Sequence, residues 1–248
     1  MRNRRLRNRL MIQQRSKEEE KRRAAVEATA LVEDGQTIGL GTGSTANYMI
    51  EELGRRIREE GLRVKGVPTS EASAAQAEKQ GVPLTSLDVS PELDIDIDGA
   101  DQVDQSLNLI KGMGGALTRE KVVAAASTVF VVVIDAGKLT KRLGEAQVLP
   151  IEVVPFSLPT VQRRIIRLGG KPKLRTAING QPFVSDNGNI ILDADFGTIT
   201  EAERLGASIK MIPGVVEHGL FIGMASAVYV GFHDRVDKIS RETLGETR

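Results

Sequence analysis

From residue 37 to 134 the chain alternates short apolar runs with longer segments of helical period. Residues 37–40, 62–67, 83–87, 93–98, 107–110 and 129–134 read as strands. In the fourth run Leu93, Ile95 and Ile97 share one face, as a period of two requires. The run 129–134 is apolar throughout, the mark of a strand buried on both faces. Helices are predicted at 44–60, 71–80 and 116–126. A further helix over 17–33 is opened by Ser16 and Glu19, which are spaced as a capping box, and Gly35 is placed to end it. Strands alternating with helices of ten or more residues predict βαβ units and a mostly parallel, doubly wound α/β sheet.

The pattern changes near Pro150. Pro155, Pro159, Pro172 and Pro182 punctuate shorter elements. Two short apolar runs flank Asp186-Asn187-Gly188-Asn189, a hairpin signal. Helices are expected at 158–168 and 198–206. The reading is a smaller α+β subdomain over 151–207, inserted in an α/β catalytic domain made of 17–150 and 208–248. The apolar, Gly-rich stretch 215–232 is expected to return to the main sheet. Residues 1–16 are expected to form a basic, disordered extension.

Charge sharpens this division. The 248 residues carry 34 Lys plus Arg against 33 Asp plus Glu, a formal charge of +1. The first 16 residues hold six Arg and no acid, so residues 17–248 keep 28 basic against 33 acidic groups, or −5. An acidic body argues against a nucleic-acid surface, which needs clustered cations to displace counterions. Aromatic residues are 3% and Trp is absent, which is thin for base stacking. With no Cys, thiolate catalysis, disulfides and Cys-ligated metals are excluded. Only two His are present, His218 and His233. No apolar run reaches the roughly 20 residues that span a bilayer. The leader has no long apolar stretch, so a cytoplasmic location is expected.

Four segments carry chemistry. Gly39-Leu40-Gly41-Thr42-Gly43-Ser44-Thr45 joins a strand to a helix, where backbone N–H groups and the helix dipole favour an anion. It lacks the Gly-Lys-Ser/Thr of a P-loop and the third glycine of a dinucleotide fingerprint. Asp98-Gly99-Ala100-Asp101 lies at the carboxyl end of a strand, the edge where open α/β sheets bind ligands. Its two carboxylates can push each other's pKa values apart. A calcium-loop reading of Asp94, Asp96 and Asp98 fails at the twelfth position, which is Gln105. The third segment runs from Lys111 through Gly112, Met113, Gly114 and Gly115 to Glu120, turning from a strand end into a helix. The fourth is Asp135-Ala136-Gly137-Lys138, past the last core strand. Acid, base, anion loop and lysines thus fall on successive strand ends, a set suited to proton transfer on a small phosphorylated sugar.

The order GLGTGST, DGAD, KG-x-GGALTREK and a lysine after the next strand resembles the ribose-5-phosphate isomerase A family, over about Lys21 to Val236. The resemblance implies an aldose–ketose isomerase that interconverts D-ribose 5-phosphate and D-ribulose 5-phosphate through a cis-enediol(ate), in the non-oxidative pentose phosphate pathway. It implies no cofactor and no metal, a ferredoxin-like small subdomain, and a homodimer or homotetramer that binds a sugar phosphate and neither nucleic acid nor membrane. By motif, Glu120 resembles the catalytic base. Asp98, Asp101 and Lys111 match residues that assist ring opening and stabilise charge. Thr42, Gly43, Ser44, Thr45, Asp98, Gly99, Ala100, Asp101, Lys111, Gly112, Met113, Gly114 and Lys138 match substrate-binding positions, and Lys21 resembles a phosphate-holding lysine. Gln102 departs from the family's usual acid, and the arginine-rich leader has no counterpart. An amino-sugar phosphate deaminase or CoA transferase of the same architecture is the rival enzyme reading, the deaminase preferring a catalytic His. A non-catalytic sugar-phosphate sensor is the other rival, and it would want a helix-turn-helix that 16 leader residues cannot build.

Overall fold

The computed structural model describes residues 2–241. Helix α1 (Arg2–Thr29) leads into β1 (Thr37–Leu40), α2 (Ser44–Glu60), β2 (Lys65–Pro68), α3 (Glu71–Gln80) and β3 (Leu93–Gly99). Then follow β4 (Gln102–Val103), β5 (Leu109–Ile110), α4 (Leu117–Ala126) and β6 (Ser127–Asp135). The next elements are β7 (Leu149–Val153), α5 (Leu158–Arg167), β8 (Lys171–Leu174), β9 (Ile190–Asp195) and α6 (Ala202–Lys210). The last described elements are β10 (Val215–His218), β11 (Leu220–Phe221), β12 (Ala227–Gly231) and β13 (Val236–Ser240). No described helix is long and apolar enough to cross a membrane.

The main sheet has the order β13-β12-β6-β3-β1-β2, parallel except for the antiparallel edge strand β13. Both faces are covered. On one, Leu40, Ile97, Val131 and Val133 pack against Ala24, Ala25 and Ala28 of α1 and Met49, Ile50 and Leu53 of α2. On the other, Phe130, Val132 and Ile134 pack with Leu109, Phe221, Val228 and Val230. Helix α2 forms because its apolar residues recur at 46, 49, 50 and 53, so one stripe is buried. Gly61 stops it in the left-handed conformation, at φ +73°.

A second sheet, β10-β7-β9-β8, is antiparallel. Its core joins Ile151, Val153, Leu192 and Ala194 to Val161 and Ile165 of α5 and Ile209 of α6. A small third sheet has the order β11-β5-β4.

Several expectations change. The helix expected at 17–33 is drawn from Arg2 to Thr29, so it starts before the capping box at Ser16 and ends four residues sooner. Residues 83–87 form one bridge, Leu84 to Gly66, and no strand. The chain does not return to the main sheet at residue 215. Val215–His218 pairs with β7, so the boundary expected at 207/208 falls after His218, and only β12 and β13 rejoin the main sheet. Apolar content could not separate these choices, because either sheet buries such a strand equally well.

Candidate active site

Strands β1 and β3 are neighbours whose connections leave in opposite directions, β1 toward β2 and β3 toward β6. The crevice at their carboxyl ends is where such sheets bind ligands. A cleft opens there. Lys21, Thr42, Gly43, Ser44, Thr45, Gly99, Ala100, Asp101, Lys111, Gly112, Gly114, Glu120 and Lys138 line it. Two of the residues expected in the site are missing from this wall. Asp98 stands one layer behind it, and Met113 projects outward, 41% exposed.

One end of the cleft suits an anion. Gly43 caps α2 at φ +111°, so the first N–H groups of a 17-residue helix face the cleft. Lys21 reaches across from α1, its Nζ 3.1 Å from Ser44 Oγ and 2.8 Å from Glu18 Oε1. Lys138 enters from a short turn after β6, where Asp135 caps Gly137 N–H at 3.1 Å. The Thr42 hydroxyl turns away from the cleft wall. It lies within 2.9 Å of the hydroxyls of Thr69, Ser70 and Ser73, while Ser73 donates to Gly41 O at 2.7 Å. That hydroxyl cluster holds the loop from behind. Its members sit after β2, outside any motif, so nothing local in the sequence singled them out.

The other end holds buried charge. Lys111 is 2% exposed and its Nζ lies 2.9 Å from Asp98 Oδ2 and 3.4 Å from Glu120 Oε2. The ammonium also donates to Gly99 O at 2.5 Å. Asp98 Oδ1 accepts N–H groups from Thr42 at 3.0 Å and Gly99 at 2.6 Å, which ties the anion loop to the acid pair. Asp101 Oδ2 accepts from Met113 N–H at 3.0 Å, linking the acid pair to the glycine turn. A Cβ at Gly41 would lie 2.2 Å from Asp98 Oδ1, so only glycine permits this contact.

Three carboxylates and one lysine cannot all be charged cheaply in a dry pocket. Burial pushes Glu120 up to about 8, with Lys111 opposing and Asp98 adding to the rise. Burial also raises Asp98, against the pull of Lys111. For Lys111 itself burial works against the cation, but Asp98 and Glu120 outweigh it and the ammonium is held. At neutral pH Glu120 is therefore mostly a neutral carboxyl beside the Asp98–Lys111 pair, and the smaller carboxylate fraction is the form able to act as a general base.

The site has a deeper member that the spacing brought up only in the rejected calcium-loop reading. Asp96 is fully buried and neither oxygen has a protein hydrogen-bond partner among the described residues. It shares the Asp98 face of β3, and a Cβ at Gly39 would meet its Oδ1 at 2.5 Å. Burial, then Asp98, raises it well above the carboxylate range. Its place on the non-apolar parity of β3 was visible in Asp-Ile-Asp-Ile-Asp, but the burial of that parity was not.

Helix α4, which carries Glu120, is anchored by a second unforeseen acid. Glu152 on β7 is fully buried and accepts from Thr118 Oγ1, Ser185 Oγ at 2.8 Å, Asn187 Nδ2 at 3.1 Å and Asn189 Nδ2 at 2.9 Å. The Asp-Asn-Gly-Asn turn is thus a docking piece for α4 as well as a reversal. His218 lies outside the cleft, its Nδ1 accepting Leu220 N–H at 3.3 Å, and burial holds the ring down to about 4. This removes the His that a deaminase would prefer.

Comparison with known proteins agrees with this geometry. The family model of ribose 5-phosphate isomerase A (phosphoriboisomerase A) matches residues 65–235. The chain is 54% identical over 217 residues to a ribose-5-phosphate isomerase A of Roseiflexus sp. (strain RS-1), covering 87% of this chain and 93% of that one. It is 49% identical to the enzyme of that name from Methanosarcina acetivorans, over 89% and 93% of the two chains. Among solved structures, ribose 5-phosphate isomerase A from Methanocaldococcus jannaschii superposes with a TM-score of 0.86 at 43% identity, covering 89% and 98%. A D-ribose-5-phosphate isomerase in complex with phospho-erythronic acid gives 0.89 at 39% identity, covering 91% and 99%.

Proposed function

The chain belongs to the ribose 5-phosphate isomerase A family and is an isomerase of ribose 5-phosphate in the pentose phosphate pathway; on that premise we propose that Glu120 carries the proton. The observation behind this is a buried carboxyl poised at about 8, with the Lys111 ammonium 3.4 Å away, in the cleft that the α2 N-terminus also lines. The substrate phosphate sits on the N–H groups of residues 43–45 with Lys21, Ser44 and Lys138. The sugar's C1 and C2 then reach Glu120. In the aldose-to-ketose direction, Glu120 in its carboxylate form takes the proton from C2 and becomes the neutral acid. The C2–H electrons form the C1=C2 bond and the C1 carbonyl electrons move to O1, giving a cis-enediolate. Glu120 returns the proton to C1 on the same face, and the O2 hydroxyl proton passes to O1. One carboxylate suffices because both carbons share that face.

Lys111 and Gly114 N–H, in the Gly112–Gly115 turn, stabilise the oxyanion. Of the two aspartates, Asp101 is the better hydroxyl-proton carrier. It lines the cleft, whereas Asp98 is buried behind it and ion-paired to Lys111. No metal or cofactor takes part in this scheme. Glu120→Gln tests it: the variant keeps its fold and binds ribose 5-phosphate, but turnover falls by on the order of 10³-fold or more. Normal turnover would sink the assignment.

We also propose a catalytic unit formed by the main sheet and a ferredoxin-like unit formed by the second sheet, with the chain working as a cytoplasmic homodimer or homotetramer that engages no nucleic acid. The exposed Phe156, Ile166 and Met211, all carried by the second sheet's connections, support self-association. Sedimentation of the full chain tests it.

A further inference from the structure

The turn Gly112–Gly115 runs along the cleft wall, yet two of its carbonyls are held from outside the main sheet. Arg175 leaves the end of β8 and its Nη1 donates to Gly112 O at 3.0 Å and Met113 O at 2.9 Å. The guanidinium is itself clamped two-handed by Asp193 on β9, through Nε at 2.9 Å and through Nη2. Its Cζ lies 5.8 Å from the Phe183 ring centre. The Phe183 ring in turn abuts Gly115, where a Cβ would come within 2.4 Å of it. The Arg175 side chain is 11% exposed, so this is a built contact and not a surface arginine resting on a loop.

The consequence follows from peptide geometry. Among the described residues every peptide bond is trans, and in a trans peptide the carbonyl and the following N–H point in opposite directions. Drawing Gly112 O toward Arg175 turns Met113 N–H the other way, and it meets Asp101 Oδ2 at 3.0 Å. Drawing Met113 O toward Arg175 likewise turns Gly114 N–H toward the cleft side, where Gly114 lies beside Lys111 and Glu120. Gly112 and Gly115 sit at φ +102° and +85°, and Gly115 N–H closes the turn on Gly112 O at 2.9 Å, but the Met113–Gly114 peptide has no such internal bond and glycine leaves it soft. Something must choose its orientation.

We propose that Arg175, clamped by Asp193, is a positioning residue for the isomerisation: it sets the peptide planes that aim Gly114 N–H at the substrate oxyanion and hold Asp101 in place. Arg175 touches no reacting atom. The inference rests on the site reading above, because it gives Gly114 N–H and Asp101 their purpose. It also gives the second sheet a part in the chemistry.

The test compares Arg175→Ala, Arg175→Lys and Asp193→Asn with the unaltered chain, using ribose 5-phosphate turnover and inhibition by phospho-erythronic acid. A donor aimed at the oxyanion matters more as charge develops, so the loss falls on kcat. Arg175→Ala is expected to lower kcat about 10- to 100-fold with KM changed less than about threefold. Arg175→Lys and Asp193→Asn are expected to lie between, and added guanidinium ion is expected to restore part of the kcat of Arg175→Ala. Unchanged kcat, a change confined to KM, or a kcat loss that tracks lost melting temperature and is not restored by guanidinium overturns the proposal. If Arg175→Ala does not fold, unchanged kcat in the other two variants overturns it. Glu120→Gln is run beside them: full turnover there defeats the site reading itself, whereas its loss alongside an active Arg175→Ala defeats only this inference.

Discussion

Glu120→Gln separates the electrostatics of the site from its catalysis. In the folded chain burial lifts the Glu120 carboxyl from about 4.5 to about 8. In the unfolded chain it returns to the ordinary value. Between these limits the native state holds a proton that the unfolded state has released, so stability falls as pH rises. The contribution is fully present below about 4.5 and is gone above about 8. At 1.36 kcal/mol for each pH unit of that interval, the loss has a ceiling of roughly 5 kcal/mol. Gln fills the same volume without ionising, and Lys111 keeps Asp98 at 2.9 Å as its counter-ion. The difference in unfolding free energy, variant minus unaltered chain, should therefore rise from pH 5 to pH 9 by about 2 to 4 kcal/mol in favour of the variant. Lys111 is raised above the ordinary lysine value, and its contribution is lost only above that value, outside this window. Asp96 and Asp98 are present in both proteins and largely cancel. Urea unfolding at fixed protein concentration across this range, with equal m-values, reads the difference directly. A flat difference, or one that shrinks with pH, refutes the claim that Glu120 is held neutral. The same carboxyl should place the acid limb of kcat/KM near pH 8 in the unaltered chain.

Three further outcomes are expected. Glu152→Ala strips the acceptor from Thr118, Ser185, Asn187 and Asn189 at once, and should cost about 3 to 5 kcal/mol; a melting temperature within a degree or two of the parent would show that the α4 anchor is not structural. Gly41→Ala drives a methyl to 2.5 Å from the Asp98 Cα, which is backbone and cannot swing aside, so both stability and turnover should drop, the former by roughly 2 kcal/mol or more; an active, equally stable variant counts against the packing of β1 on Asp98. Removing residues 1–15 should leave kcat/KM unchanged, since Lys21 and the buried Ala24, Ala25 and Ala28 of α1 remain; a large loss on truncation would give the leader a role in the site.

Sequence alone determined the parts of this protein governed by local rules. Periodicity marked 37–40, 44–60 and 71–80 to the residue, because a glycine stop or a serine cap bounded each helix. Motif order marked almost every residue of the cleft wall, because a parallel sheet gathers successive strand ends on one edge and the chain shows those ends in turn. Tertiary structure alone decided the rest. Glu152 and Arg175 carry no local signal, and the spacing of Asp96 suggested only a calcium loop: each is one polar residue in a strand or just past one, and its meaning comes from what faces it across the fold. Asp98 belongs behind the wall and not in it because Gly41 lets β1 approach β3 that closely. Val215–His218 belongs to the second sheet because β7 offered it an open edge. Such choices depend on which surfaces meet, and a linear pattern records only which surfaces are apolar. That is why the chemistry could be read along the chain, while the supports that orient it became visible only once the two sheets were in contact.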